Sequence, residues 1–348
     1  MPAKIAVAGA GIYGATVATR LAESGHSVDL FDPLGILRAA SAINQHRVHA
    51  GYHYPRSTET IDEILQARAE FHRDFREAIV EKSSNFYAIP HEGSRTSPEI
   101  YEQVMSRHGL PLTACSPDWI NFHYIHKCYR VDENIYDSDV LREILKKRIE
   151  SRSVRFQQRE FLPEMRSDYD FVIWAVYGLG PSRKMFRSAK YQVAEKALIL
   201  LPPLLRRVAL VVVDGPFTAF DLYGNSQFSL FGSAKHTNHW STTDPAAPIP
   251  QQYMEVLNGE TYLPSPFTNF EAMRQECSLS VPAARDAVYL GSRFTIRVVE
   301  DDPHGDRRTL RLIETSPGEF HIFSGKVVSS IKAARLICER IAGHELPS

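Results

Sequence analysis

The sequence predicts an α/β protein in which a parallel sheet begins and ends the chain, with a mostly antiparallel sheet inserted between. Three observations carry this expectation. Residues 4–32 read as strand, Gly-rich turn, helix and second strand. Asp168-Tyr-Asp-Phe-Val-Ile-Trp-Ala-Val-Tyr-Gly178 and Phe320-His-Ile-Phe-Ser-Gly325-Lys326 read as further buried strands ending in turns, the latter followed by a closing helix. Between them lie short aromatic-rich runs punctuated by Pro, Gly and Asn, the pattern of antiparallel strands.

The opening segment is the most informative. An apolar strand from Lys4 runs into Gly9-x-Gly11-x-x-Gly14, and a helix and second strand follow, ending at Asp32, 23 residues after Gly9. Each part suits a dinucleotide. Gly9 makes the tight turn, Gly11 leaves room for a pyrophosphate, and Gly14 brings the helix close to the sheet. The N–H groups of Ile12 and Tyr13 begin a helix whose N-terminus attracts phosphate. Asp32 is placed to accept hydrogen bonds from an adenosine ribose.

A loop over 33–55, rich in His, Asn, Gln and Arg, comes next. A helix is expected over 57–80, with Ile61, Ile64, Leu65, Phe71 and Phe75 on its inner face. A short helix is expected over 97–108 with Ile100, Val104 and Met105 inward. An amphipathic helix over 137–151 starts at Asp137 and Ser138. Strands are expected at 85–90, 124–125, 128–131, 134–136, 196–201, 208–213, 217–222, 228–233 and 287–299. Asp301, Asp302 and Asp306 read as a hairpin turn rather than a cation site, and no metal is expected. The last helix should reach about Ala342, with Cys338 in its core face. The expected division assigns 1–80, 137–185 and 310–348 to the nucleotide domain, and 81–136 and 186–309 to the substrate domain.

Composition excludes little but does decide some classes. With 43% hydrophobic and 23% charged residues, the chain can bury a core. A net charge of −1 gives no general attraction to nucleic acid or an anionic membrane. The glycines fall where a signal-peptide cleavage site would be, so export is not expected. No apolar run has spanning length; the longest, from Ala197 to Leu205, contains two prolines. The four cysteines lack zinc spacing and are expected as free thiols in a reducing cytoplasm.

Four segments together resemble the FAD-dependent oxidoreductases of the D-amino-acid oxidase superfamily, which includes glycine, sarcosine and 2-hydroxyglutarate oxidases. They are the glycine fingerprint with Asp32; Ala40-Ser41-Ala-Ile-Asn44-Gln-His46-Arg-Val-His49-Ala-Gly51-Tyr-His-Tyr54; Tyr169 to Gly178; and Phe323-Ser-Gly325-Lys326-Val-Val-Ser-Ser330. The resemblance implies a Rossmann-like FAD-binding domain. It places the cofactor against Gly9, Gly11, Ile12, Tyr13, Gly14 and Asp32, then Ser41, Asn44, Gln45, His46, Arg47 and Val48. Ala175, Gly178, Ser324, Gly325, Lys326, Val327 and Val328 complete the implied contacts. In sarcosine and dimethylglycine dehydrogenases a His at the place of His46 is bonded to flavin; here FAD is expected to be held non-covalently. The family's usual Arg-Pro is not recognisable near Arg293, and the C-terminal turn has a single Gly. The likeness therefore implies FAD and redox chemistry rather than one substrate.

The expected activity is oxidation of a C–N or C–O bond of a small polar metabolite, with hydride passing to flavin N5 and then to O2 or another carrier. His49, Tyr52, His53 and Tyr54 supply titratable and aromatic groups for it. Lys326 suits the negative charge that develops on a reduced ring. Arg293, Arg297, Arg307 and Arg308 are candidates for clamping a substrate carboxylate. Three other readings stand beside this one: a flavoenzyme acting on a nucleotide sugar or natural-product intermediate, an NAD-dependent dehydrogenase, and a flavin-binding partner protein without turnover. The flavin-wrapping loop speaks against NAD. The sequence leaves the oligomeric state open.

Overall fold

The computed structural model describes residues 2–80, 83–186, 188–233, 235–301 and 307–344. Asp302 and Asp306 lie outside them. Strand Lys4–Ala8 sits inside a six-stranded sheet, flanked in parallel by Ser27–Phe31 and Phe171–Trp174. Arg155–Gln157 and Glu319–Phe323 extend it in parallel on the two sides, and Arg311–Ser316 closes one edge antiparallel. Three stretches far apart in sequence thus build one sheet. Both faces are covered, which explains why its strands read as unbroken apolar runs.

The second sheet has nine strands and is antiparallel except for one pairing. The exception is Ser84–Pro90 beside Val208–Val212, where two sequence-distant parts of the sheet meet. Its longest ladder joins Ala189–Leu200 to Val288–Glu300. A small third sheet pairs Arg47–Val48 and Ile79–Val80 with Asn134–Tyr136, bringing part of the 33–55 loop against residues near 135.

Helix Ile12–Glu23 packs on the last helix, Ser330–Ala342, and the helix Ser138–Ser151 lies beside it. Leu141, Leu145 and Ile149 are the buried apolar residues of Ser138–Ser151, and Asp137 accepts from the N–H groups of Asp139 and Val140 as an N-cap. Several local expectations are corrected. The helix expected over 57–80 ends at Asp74, because Ile79–Val80 is drawn into the small sheet. In helix Pro98–Arg107 the inner residues are Tyr101 and Met105, whereas Ile100 is 52% exposed. Ile100 and Met105 are five residues apart, about 140° around the helix, so a single buried stripe takes only one of them. Cys338 is half-buried at the margin of the core. No described helix is long and apolar enough to cross a membrane.

Candidate active site

One cavity of about 590 Å³ runs from the Gly-rich turn of the parallel sheet to the inner face of the antiparallel sheet. That is a size common for small-molecule and cofactor sites. At one end it is walled by Gly9, Gly11, Asp32, Pro33, Phe161 and Ala175; at the other by His53, Tyr54, Lys196, Gly232, Arg297 and Lys326.

The glycine turn shows why its residues are glycines. Gly9 has φ +96°, and a Cβ there would lie 2.6 Å from the carbonyl oxygen of Ala175. At Gly14 a Cβ would come within 1.8 Å of the Gly9 carbonyl oxygen, so the helix rests directly on the turn. Gly11 admits a neighbour: a Cβ would sit 3.0 Å from Ser41 Oγ, and that hydroxyl accepts from Ile12 N at 3.1 Å. Ser41 thus satisfies one first-turn donor while its loop folds over the helix N-terminus. Asp32 Oδ2 accepts from Ala10 N at 2.8 Å, and Oδ1 accepts from Leu34 N and Gly35 N. Burial pushes its carboxyl up, and these three donors oppose the shift.

The far end is rich in charge. Lys326 Nζ sits 4.2 Å above the centre of the Tyr54 ring, and burial pushes its ammonium down to about 7. The Tyr13 hydroxyl donates to the Lys326 carbonyl, tying the first helix to the C-terminal turn. His49 is brought to about 4, first by burial and then by the charge of Lys326. Burial, with His49 and Lys326 as neighbours, holds His53 well below the usual histidine range. Its buried Nδ1 has no hydrogen-bond partner among the described residues.

Behind the wall lies a buried ionic network. Arg47 Nη1 donates to Glu133 Oε2 at 2.7 Å, and its Nε lies 2.5 Å from Asp221 Oδ1. Glu133 also accepts from Ala50 N and from the Tyr87 hydroxyl, and His49 Nδ1 lies 3.6 Å from its Oε1. Burial would raise the Glu133 carboxyl, but His49 and Arg47 outweigh it and hold the group below the usual carboxylate range. The network pins the loop that carries His49 and His53. Lys196 enters the cavity from strand Ala189–Leu200. Burial brings it down to about 8 against the pull of Asp221, and a Cβ on Gly232 would lie 2.1 Å from its Nζ. Its neighbour Glu195 points to the opposite face, where His239, Thr268 and Asn269 bind it.

Of the residues singled out in the sequence, the cavity gathers Gly9, Gly11, Ile12, Tyr13, Asp32, Ser41, Asn44, Gln45, Arg47, His49, His53 and Tyr54. It also gathers Ala175, Arg297, Arg308, Ser324, Gly325, Lys326 and Val327. Others point elsewhere. His46 is fully buried, with its ring packed 5.1 Å from Tyr136 and 5.7 Å from Tyr223 and Nε2 at 3.2 Å from the Ala42 carbonyl. Val48 and Val328 belong to the core, and Gly178 packs near Phe323 and Val298. Tyr52 donates to the Pro111 carbonyl, away from the cavity. The Arg293 guanidinium binds the carbonyls of Gly259, Arg38 and Ala42, an anchor for backbone rather than substrate. Arg307 is 44% exposed and faces Glu300 and Glu59.

Lys196, Glu133 and Asp221 escaped the sequence reading as site residues. The signal available was a charge inside an otherwise apolar strand, as in Thr218-Ala-Phe-Asp221-Leu and Ala194-Glu-Lys196-Ala-Leu.

The two sheets, the cavity between them and the glycine turn define a Rossmann-like nucleotide-binding fold with a second sheet closing over it. Residues 4–119 match the family described as FAD dependent oxidoreductase. The "FAD-dependent monooxygenase FPY4" of Fusarium mangiferae is 29% identical over 63% of this chain and 60% of its own length. The "FAD-dependent monooxygenase kojA" of Aspergillus flavus is 29% identical over 42% of this chain and 36% of its own. The matched stretches thus span less than two thirds of either relative. Among solved structures, glycine oxidase from Geobacillus kaustophilus shares the fold at TM-score 0.72 and 16% identity, covering 99% of this chain and 95% of that one. Residues 4–119, a third of the chain, thus resemble FAD-dependent oxidoreductases, the whole chain shares the glycine oxidase fold, and FAD is the cofactor of the matched family. The residues present fit that group: a glycine cradle that a Cβ would fill, and a cavity continuous with a cation-rich far end.

Proposed function

We propose that this chain oxidises a C–N or C–O bond of a small polar metabolite carrying an acid group. The single observation behind this reading is the continuous cavity, with the glycine turn at one end and Tyr54, His53, Arg297 and Lys326 at the other. FAD, when bound, supplies a two-electron acceptor at its ring. The turn 9–14, Ser41 and Asp32 bind the adenosine and pyrophosphate half. Lys326, on the cavity wall, would supply positive charge to the edge of the ring where negative charge develops on reduction. Arg297 orients the substrate acid. His53, kept neutral and with Nδ1 unpartnered, accepts the substrate proton at that nitrogen. Tyr54 and Tyr177 exclude water. The cofactor half comprises 1–80, 137–185 and 310–348, and the substrate half the rest. The free cysteines support a reducing, cytoplasmic setting. O2 or another carrier takes up the electrons.

An anaerobic screen of small amino and hydroxy acids, read as bleaching of the flavin band near about 450 nm, tests this. At least one acid should bleach it, and Arg297→Leu should weaken that acid's binding by about 10–100-fold, the loss of a charge-assisted pair. Failure of every acid, with neutral metabolites active instead, removes the acid anchor. The names of the two fungal relatives, both FAD-dependent monooxygenases, favour a second reading, oxygenation of the substrate. Incorporation of labelled O2 into product supports that reading; peroxide release supports the first.

A further inference from the structure

We propose that Cys115 and Cys128 are a redox pair that closes to a reversible intrachain disulfide under hydrogen peroxide, clamping the edge of the large sheet. Their sulfurs lie 3.9 Å apart as free thiols. Cys115 N donates to the Cys128 carbonyl at 3.0 Å, and Ala114 faces Tyr129 in the antiparallel ladder, so Cys115 stands directly opposite Cys128. Opposed antiparallel residues have Cα atoms about 4.5–5.5 Å apart, within the roughly 4.4–6.8 Å that a disulfide requires. The backbone spacing is therefore compatible with the bond, and the sulfurs have to close from 3.9 Å to about 2.05 Å.

The two thiols differ in exposure: Cys115 is half-buried and meets the oxidant first, whereas Cys128 is buried, and burial raises its thiol so that it is slow to be oxidised on its own. The Cys115 sulfur attacks one peroxide oxygen and the O–O bond breaks, leaving a sulfenic acid on Cys115 and releasing one water. The Cys128 sulfur then attacks the sulfenic sulfur. Its proton leaves with the hydroxyl as a second water, and the S–S bond forms. Peroxide gains the two electrons that the thiols lose. The clamp has a mechanical object: strand Leu112–Ala114 is three residues long, largely exposed and at the sheet edge. The strand it joins, Ile125–Val131, leads into Glu133, which holds the 47–50 segment.

The test uses the FAD-loaded full chain, treated with hydrogen peroxide, alkylated and mapped by peptide mass, and it does not depend on the proposed reaction. The expected result is a Cys115–Cys128 peptide pair with a loss of about 2 Da for two thiol hydrogens, reversed by dithiothreitol. The melting temperature should rise by at least about 3 °C, since the bond constrains the unfolded chain. Cys115→Ser should show neither the link nor the rise. Over-oxidised Cys115 beside a free Cys128 thiol, a link to Cys277 or Cys338, or thiols unchanged by peroxide would each overturn the pair. A mapped link without any rise in melting temperature overturns the clamp.

Discussion

Lys326 shows how much one side chain can decide. It sits over Tyr54 at the cation-rich end of the cavity. Facing the reduced ring, it should favour the reduced state, and Lys326→Met should lower the flavin potential by about 30 mV for each ~1.4 kcal/mol lost. A charge contact in a partly buried site is worth on the order of 1–3 kcal/mol. FAD content should hold, and dye-equilibrated potentials check the shift. The same residue predicts a pH effect in the flavin-free protein. Its folded pKa, about 7, lies below the ordinary 10.5. Between these values the unfolded chain binds a proton that the fold does not, so stability rises with pH across that window. Denaturant titrations should show a smaller rise in Lys326→Met; equal slopes would place the ammonium in solvent.

At the scale of elements, the first helix is held by contacts that leave no room for a side chain. Gly14 meets the Gly9 carbonyl, Gly11 meets Ser41, and Tyr13 reaches the Lys326 carbonyl. Gly14→Val should separate helix from sheet, cost several kcal/mol through overpacking and the altered backbone, and abolish FAD retention. Gly11→Val should lose FAD with a smaller loss of stability, because the hydroxyl of Ser41 can rotate away. Thermal melts and flavin-to-protein absorbance ratios separate the two outcomes. Equal flavin content in Gly11→Val and the parent would show that the turn does not hold the pyrophosphate. The fingerprint and its helix were legible from sequence because the glycine spacing itself records the turn and the helix start, even where the wall behind Gly9 is Ala175 from a distant strand. Helix Pro98–Arg107 was legible in extent but not in orientation: its apolar residues cover more than one stripe, and only the neighbouring sheet selects Tyr101 and Met105 over Ile100.

On the scale of the whole molecule, the cavity exists because three separate stretches return to one parallel sheet while the antiparallel sheet closes over them. That arrangement decides how FAD is held. The fold turns His46 away from the cavity and packs it between Tyr136 and Tyr223, where burial keeps its imidazole near 4. Acid precipitation should therefore release all the yellow colour into the supernatant. Colour that stays with the pellet, and disappears in His46→Ala, would require that ring to turn over and reach the flavin.

The sequence alone determined the glycine turn, the alternation of sheet types and the polar loop that lines the cavity. Each is written in local pattern: glycine spacing, strand period and a short run of polar and aromatic residues. It also named Lys326 and the arginines, but it could not choose among the arginines. Only the tertiary structure turned Arg297 into the cavity, tied Arg293 to backbone carbonyls and left Arg307 on the surface. Only the structure joined Arg47, Glu133, Asp221 and Lys196 into one site. The physical reason is distance along the chain. A buried charge needs a partner, but the partner is supplied by whichever strand the fold brings alongside, and no local period records that choice.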